Sequence, residues 1–391
     1  MNIDHVCFYV NDAIATRNWL VQTLGFRSVG SSVTRHCAIE VVNAGTIYFV
    51  LCAAASADSP VTPFLQRHPP GVADLALCVE NIEARIAHAV QHGATLLHPL
   101  QTQVQAQGTL KWATLSAWGD LTHTLLERDG ITSLLPQAPD SLSDLLVSPF
   151  HFQQAPTMPA EIEAASNIGL FTRIDHVVLN VAAGELEQAV SWYEQVLGFQ
   201  PQQSFAIQTT YSALCSRVMR HPFSGMQLPI NEPASPNSQI QEFLEVNRGP
   251  GIQHIALETT DLVQAIAQLR QRHLSLIHVP TAYYAQLRQR TGLALPDVMI
   301  QQLEEQQILA DWQQDTQHAV LLQTFTQPIF DEPTFFFELI QRQGTRDSDR
   351  PERAQGFGEG NFRALFEAIE YEQMKRGSLQ LPTGLTHSGG G

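Results

Sequence analysis

The tetrapeptide Ile3-Asp4-His5-Val6 near the start of the chain returns as Ile174-Asp175-His176-Val177 near its middle. Each copy runs into an amphipathic stretch ending in Leu-Gly-Phe, at Leu24-Gly25-Phe26 and Leu197-Gly198-Phe199. A second pair follows: Gly71-Val72-Ala73-Asp74-Leu75-Ala76-Leu77 resembles Gly251-Ile252-Gln253-His254-Ile255-Ala256-Leu257, and both again lead into helical patterns. A repeated sequence is a repeated structural unit. The chain therefore reads as two halves, each made of two related modules.

Each module reads as a strand, a helix and further strands. Ile174 to Val181 is short and β-branched, bounded by polar or small residues, as a strand requires. Ala189, Trp192, Tyr193, Val196 and Leu197 fall at helical spacing on one face, and Gly198 can end that helix. Leu262, Ala265, Ile266 and Leu269 repeat the spacing. Such stripes are core faces. A stretch rich in Pro, Ser and Gln from Pro136 to Asn167 is the natural connector between the halves. The expected boundaries are 1–150 for the N-terminal barrel, 151–170 for the linker, 171–380 for the catalytic barrel and 381–391 for a flexible tail ending in Gly-Gly-Gly.

Composition excludes several partners. The net charge of −16 argues against nucleic acid or an anionic membrane bound through bulk charge. No apolar run approaches the roughly 18 residues needed to span a bilayer. No basic-then-apolar leader opens the chain, so a soluble, cytoplasmic protein is expected. The five cysteines contain no C-x-x-C pair and indicate neither a disulfide framework nor a thiolate zinc site.

The chemistry concentrates in the C-terminal half. His176 and His254 lie at equivalent places in strands of its two modules, and Glu338 lies in the apolar run Thr334-Phe335-Phe336-Phe337-Glu338-Leu339-Ile340. A carboxylate buried there is costly unless paired or bound to metal. Arg342 and Arg363 are the competing ion-pair partners. Two His and one carboxylate with open positions form the ligand set of non-haem Fe(II) oxygenases. The N-terminal half is the internal control: it keeps His5, but has Asp74 where His254 stands and Thr124 opposite Glu338. It is expected to be structural and metal-free.

Other elements accompany the ligands. In Leu321-Leu322-Gln323-Thr324-Phe325, period-two alternation puts Gln323 and Phe325 on one face. The glycine-rich run Gly356-Phe357-Gly358-Glu359-Gly360-Asn361-Phe362 follows no strand, so it is not a dinucleotide loop. After it, Phe362, Leu365, Phe366 and Ile369 stripe a helix, with Asn361 as its expected N-cap and a lid as its expected role.

These motifs, together with Leu228-Pro229-Ile230-Asn231-Glu232-Pro233 and Ser238-Gln239-Ile240, closely resemble the 4-hydroxyphenylpyruvate dioxygenase family of the vicinal oxygen chelate superfamily. The resemblance is strongest from Ile174 to Leu379. It implies an α+β fold of four βαβββ modules paired into two half-open barrels, with Fe(II) held only in the second by His176, His254 and Glu338. It implies that Phe325 and Phe362 sandwich the substrate ring, with Phe357 beside them. Ser216, Asn231, Gln239, Gln253 and Gln323 would form the polar network around the substrate. The partners implied are a small 2-oxo acid and O2, and a homo-oligomer, dimer or tetramer, is expected. The departures, His318-Ala319 before Val-Leu-Leu-Gln and Asn237 before Ser-Gln-Ile, touch no implied ligand.

The expected reaction converts 4-hydroxyphenylpyruvate and O2 to homogentisate and CO2. One alternative within the family is a 4-hydroxymandelate synthase, which oxidises the benzylic carbon of the same substrate. From another class, a metal-free binding module of the same fold is disfavoured because all three ligands are present.

Overall fold

The computed structural model describes residues 1–135, 169–290, 295–312, 319–344, 354, 356 and 359–379. The connector from Pro136 to Asn167, Phe357, His318 and the tail therefore lie outside the described residues. The repeat is realised as four modules of strand, helix and three strands. The first is β1 (Asn2–Tyr9), α1 (Ala13–Gln22), β2 (Arg27–Val33), β3 (Cys37–Ala44) and β4 (Ile47–Ala54). Helix α2 (Val61–Arg67) leads into β5 (Gly71–Cys78), α3 (Ile82–Gln91), β6 (Leu96–Gln105), β7 (Gln107–Ser116) and β8 (Thr122–Ile131). The third is β9 (Arg173–Asn180), α4 (Leu186–Leu197), β10 (Gln200–Gln208), β11 (Ala213–Arg220) and β12 (Gln227–Pro233).

After α5 (Gln239–Asn247), the fourth module comprises β13 (Gly251–Glu258), α6 (Leu262–Gln271), β14 (Leu309–Trp312), β15 (Val320–Phe325) and β16 (Phe336–Arg342). It carries two extra helices before β14, α7 (Thr281–Gln289) and α8 (Asp297–Gln306). Helix α9 (Glu359–Arg376) follows β16.

The strands form two 8-stranded mixed sheets, ordered β2-β3-β4-β1-β5-β8-β7-β6 and β10-β11-β12-β9-β13-β16-β15-β14. Within each module the first and last strands pair in parallel, and modules join through the antiparallel pairs β1–β5 and β9–β13. The fold is thus α+β, with the second sheet curved into a half-barrel.

The expected helix faces are the buried ones. Leu186, Ala189, Val190, Tyr193, Val196 and Leu197 point inward from α4, which ends at Gly198 with φ 75°, a left-handed conformation that glycine adopts without strain. Leu262, Ala265, Ile266 and Leu269 are buried on α6, and Asp261 caps it by accepting from the Gln264 N–H at 3.0 Å. Burying each larger aliphatic side chain stabilises the fold by about 1.5–3 kcal/mol. The halves share one core. Phe8 meets Phe335 at 5.2 Å and Phe49 meets Phe337 at 5.7 Å between ring centroids.

Candidate metal centre

In a regular strand, neighbouring side chains point to opposite faces. The β9–β13 register skips Asp175 on one strand and Gln253 on the other, so each metal-ligand histidine candidate is preceded by a bulge. Bulges re-aim side chains. The one at Asp175 lets its carboxylate reach the ring of its own neighbour, with Oδ1 2.9 Å from His176 Nδ1. Arg342, at the end of β16, donates to both oxygens of Asp175 at 2.7 Å. That leaves His176 Nε2 to face inward.

His176 Nε2 lies 3.2 Å and His254 Nε2 3.5 Å from Glu338 Oε2. Among the described residues this is the one group of three whose candidate ligand atoms all lie within 4.8 Å of one another. Cis donors on an octahedral ion with bonds of about 2.1 Å sit about 3.0 Å apart, so the cluster is close to the spacing a divalent ion imposes. The other carboxylate oxygen, Oε1, accepts from Gln323 Nε2 at 2.8 Å, which aims Oε2 at the two imidazoles. His254 stacks on Phe336 at 4.8 Å, while its buried Nδ1 has no hydrogen-bond partner among the described residues. Neither Arg342 nor Arg363 pairs with Glu338: the first holds Asp175 and the second bonds Glu367.

All three candidate ligands are buried. Burial opposes charge on His176, but the Glu338 carboxylate and Asp175 overcome it and raise its pKa to about 9. Burial likewise favours a neutral Glu338, yet the charge and hydrogen bond of His176 hold it down at about 2. His254 is pushed down by burial. A buried carboxylate with two imidazoles and no other cation in contact is a donor set suited to a divalent metal.

The cluster opens on a chamber enclosing about 410 Å³, open space at its mouth included. Its wall shows the period of a strand: Ser216 and Val218, Pro229 and Asn231, and Gln323 and Phe325 are successive inward residues of β11, β12 and β15. Ser216 stands opposite Asn231 in the register. Asn231 donates from Nδ2 to Asn180 Oδ1 at 3.3 Å, and its own Oδ1 has no partner among the described residues. Phe362 and Leu365 of α9, with Phe205 of β10, complete the lining. The structure therefore brings Ser216, Asn231, Gln323, Phe325 and Phe362 together around the three ligands. Gln239 and Gln253 are buried but are not part of the lining.

One expectation is corrected. Asn361 does not cap the helix: α9 begins at Glu359, and Asn361 is fully buried within its first turn. Its side chain donates to Gln323 Oε1 at 2.8 Å. The helix end is instead served by Asp311 of β14, which accepts from the Gly360 N–H at 3.1 Å and pairs with Arg290 at 2.5 Å. A carboxylate at a helix N-terminus is favourable whichever element supplies it.

The N-terminal half repeats the frame with different contents. Asp4 Oδ1 lies 2.8 Å from His5 Nδ1, and Arg128 bonds both Asp4 oxygens. The β5–β8 register pairs Asp74 with Thr122, as β13–β16 pairs His254 with Phe336, so Thr124 does stand where Glu338 stands. Thr122 and Thr124 both donate to Asp74 Oδ1, at 2.5 and 3.0 Å.

Comparison with known proteins defines the class first. Residues 173–294 and 4–110 match two family models, both described as the Glyoxalase/Bleomycin resistance protein/Dioxygenase superfamily. Within that class, the chain belongs to the 4-hydroxyphenylpyruvate dioxygenase family. It is 36% identical over 394 residues to the 4-hydroxyphenylpyruvate dioxygenase of Caenorhabditis briggsae, covering 96% of this chain and 93% of that one. An uncharacterized Synechocystis protein is 33% identical, with 95% and 97% covered. Among solved structures, a mutant of 4-hydroxymandelate synthase from Streptomyces coelicolor superposes with a TM-score of 0.75 at 25% identity, covering 95% and 98%.

Proposed function

We propose that this chain is an Fe(II)-dependent dioxygenase that converts 4-hydroxyphenylpyruvate and O2 to homogentisate and CO2. The observation that carries this reading is the convergence of His176, His254 and Glu338 on an aromatic-walled chamber in a chain of this family. Iron(II) held by the three ligands supplies Lewis-acid binding of the 2-oxo acid and electrons for O2 reduction.

The remaining tasks belong to the protein. Phe325 and Phe362 bound the chamber and are proposed to hold the ring by its faces. At the far end, the unpartnered Asn231 Oδ1 is an acceptor for a phenol O–H, and Ser216 opposite it offers a hydroxyl. Gln323 keeps Glu338 oriented. Gln239, whose buried Oε1 has no partner among the described residues, is proposed to turn toward the substrate, and Gln253 to support His254 next to it. Helix α9, whose Phe362 and Leu365 line the chamber, is proposed to close over it and exclude water from the reacting groups.

A ring held at both faces and at its hydroxyl presents its substituted carbon to the oxidant, which favours migration of the side chain. The likeness to a 4-hydroxymandelate synthase mutant supports one second reading, oxidation at the benzylic carbon of the same substrate. The test is product identification. The chain is loaded with Fe(II) without oxygen, given 4-hydroxyphenylpyruvate and O2, and its products are separated and weighed by mass spectrometry. Homogentisate is expected. Predominant 4-hydroxymandelate would overturn the regiochemistry alone, and no oxidised product from an iron-loaded chain would overturn the whole reading.

A further inference from the structure

Asn361 sits at the meeting point of four elements, its Nδ2 facing the Gln323 amide oxygen at 2.8 Å and the Leu321 carbonyl at 3.4 Å. Glu338 can only accept, so Gln323 must donate to it through Nε2 and turn Oε1 the other way. That oxygen then accepts from Asn361 Nδ2 at 2.8 Å. Asn361 Oδ1, fully buried, is left 3.1 Å from the hydroxyl of Tyr283 on α7. The Tyr283 oxygen in turn accepts from the Ala310 N–H of β14 at 2.9 Å, and its proton is shared between Asn361 Oδ1 and the Ala310 carbonyl, 3.0 Å away. Burial pushes the Tyr283 pKa up, so its phenol stays a donor.

From this we infer that Asn361 is a positioning residue which couples the docking of α9 to the orientation of Glu338. The chain runs from the Ala310 N–H through Tyr283, Asn361 and Gln323 to Glu338 Oε1. Aligned bonds of this kind polarise one another, and each interior member loses both partners' alignment if one is removed. When α9 leaves, Gln323 Oε1 loses the Asn361 donor, which loosens the amide and with it the aim of Oε2. Helix position and metal affinity are therefore two readings of one equilibrium, and linkage makes the coupling reciprocal.

This inference rests on the three-ligand reading, and the two fail separately in one experiment. Co(II) is titrated into the metal-free full chain by its visible absorption, and hydrogen exchange of the α9 amides is measured with and without the metal. Wild-type binding at one site, lost in Glu338→Ala, supports the ligand set; its absence would overturn that set before the relay is considered. Asn361→Ala should then weaken Co(II) binding by about tenfold, within the range seen when partners of metal ligands are removed. Tyr283→Phe, which touches neither the chamber nor a ligand, should weaken it by about threefold in the same direction. Arg363→Ala, on the exposed side of the same helix, should leave it unchanged.

Co(II) should slow exchange in α9 of the wild-type chain and have little effect on exchange in Asn361→Ala. Should Asn361→Ala fail to fold, Tyr283→Phe and Asn361→Asp carry the test. In the latter a carboxylate faces Gln323 Oε1, which favours the wrong turn of the amide. Affinities within twofold of wild type in the folded variants, with α9 protection still responding to metal, would overturn the coupling.

Discussion

Arg128 does for Asp4 what Arg342 does for Asp175. Each arginine bonds both oxygens of its aspartate at 2.7–2.8 Å, and each aspartate holds Nδ1 of the histidine that follows it. In one half the histidine faces two further ligand candidates, and in the other it faces an aspartate tied to two threonines. The same orienting device thus serves a cluster of three candidate ligands in one place and an aspartate bonded by two threonines in the other, which gives an internal pair of experiments.

Arg342→Gln should cost about 3 kcal/mol of stability, because it leaves the buried Asp175 carboxylate unpaired, and should lower metal affinity by about 10- to 100-fold by freeing His176. Arg128→Gln should carry a comparable stability cost with no change in metal affinity. Urea unfolding and Co(II) titration of the two variants separate these effects. Equal losses of metal affinity in both would refute the assignment of the centre to one half.

Metal stoichiometry follows from the same contrast. His176→Ala, His254→Ala and Glu338→Ala should each lose most bound iron and turnover. His5→Ala should keep one iron per chain, because Asp74 and Thr124 satisfy each other without it. Elemental analysis decides. A wild-type chain with two irons, one of them lost in His5→Ala, is the result that fails this expectation.

On the proposed reading, clamping of the ring sets the product distribution. Phe362→Ala opens one wall of the chamber and Asn231→Ala removes the acceptor at its far end. A displacement near 1 Å costs on the order of 100-fold in rate, so both variants should turn over more slowly and release more benzylic or uncoupled product. The ratio of homogentisate to 4-hydroxymandelate and the O2 consumed per product formed are the measurements. Unchanged ratio and coupling in both variants would remove these residues from the positioning role.

Stability should also depend on pH through His123. Burial drives its pKa down to about 4 from an ordinary value of 6.5. It is held neutral between the Leu75 carbonyl, 3.1 Å from Nδ1, and the Tyr193 hydroxyl, 3.1 Å from Nε2. A depressed histidine contributes stability that is present above pH 6.5 and is lost as pH falls toward 4, about 2 kcal/mol by pH 5. Thermal or urea unfolding of wild type and His123→Gln at pH 7.5 and 5.0 tests the sign: the gap between them should narrow on acidification. A gap that widens instead would mean His123 is charged in the fold.

What the sequence made legible, and what it did not, divides along chain distance. The modules, the inward helix faces and the three candidate ligands were written in local pattern and in its repetition. Asp175 was visible too, since it stands in both copies of the opening motif, and Arg128 and Arg342 recur at matched places after Thr124 and Glu338. Only their meaning was missed. Asn361 was misread because capping logic looks at the residues just before a helix, whereas the group that serves this helix end, Asp311, belongs to a different element. Tyr283 carries no local signal at all, for its partner Asn361 lies 78 positions away.

Strand β16 divides its residues between two owners. Glu338 lines the chamber and Phe336 stacks on His254, while Phe337, and Phe335 just before the strand, lie against Phe49 and Phe8 of the other half. A minimal enzyme cut from the second half would therefore expose a stripe of aromatic rings on the back of the very strand that delivers its carboxylate. Nor is the effect limited to truncation. Phe49→Ala, far in sequence from any chemistry and destabilising by about 3–5 kcal/mol, would slacken that strand from behind. For anyone redesigning this scaffold, the half without the ligands is the anvil on which the metal strand is set, and it has to be kept or replaced by something equally hard.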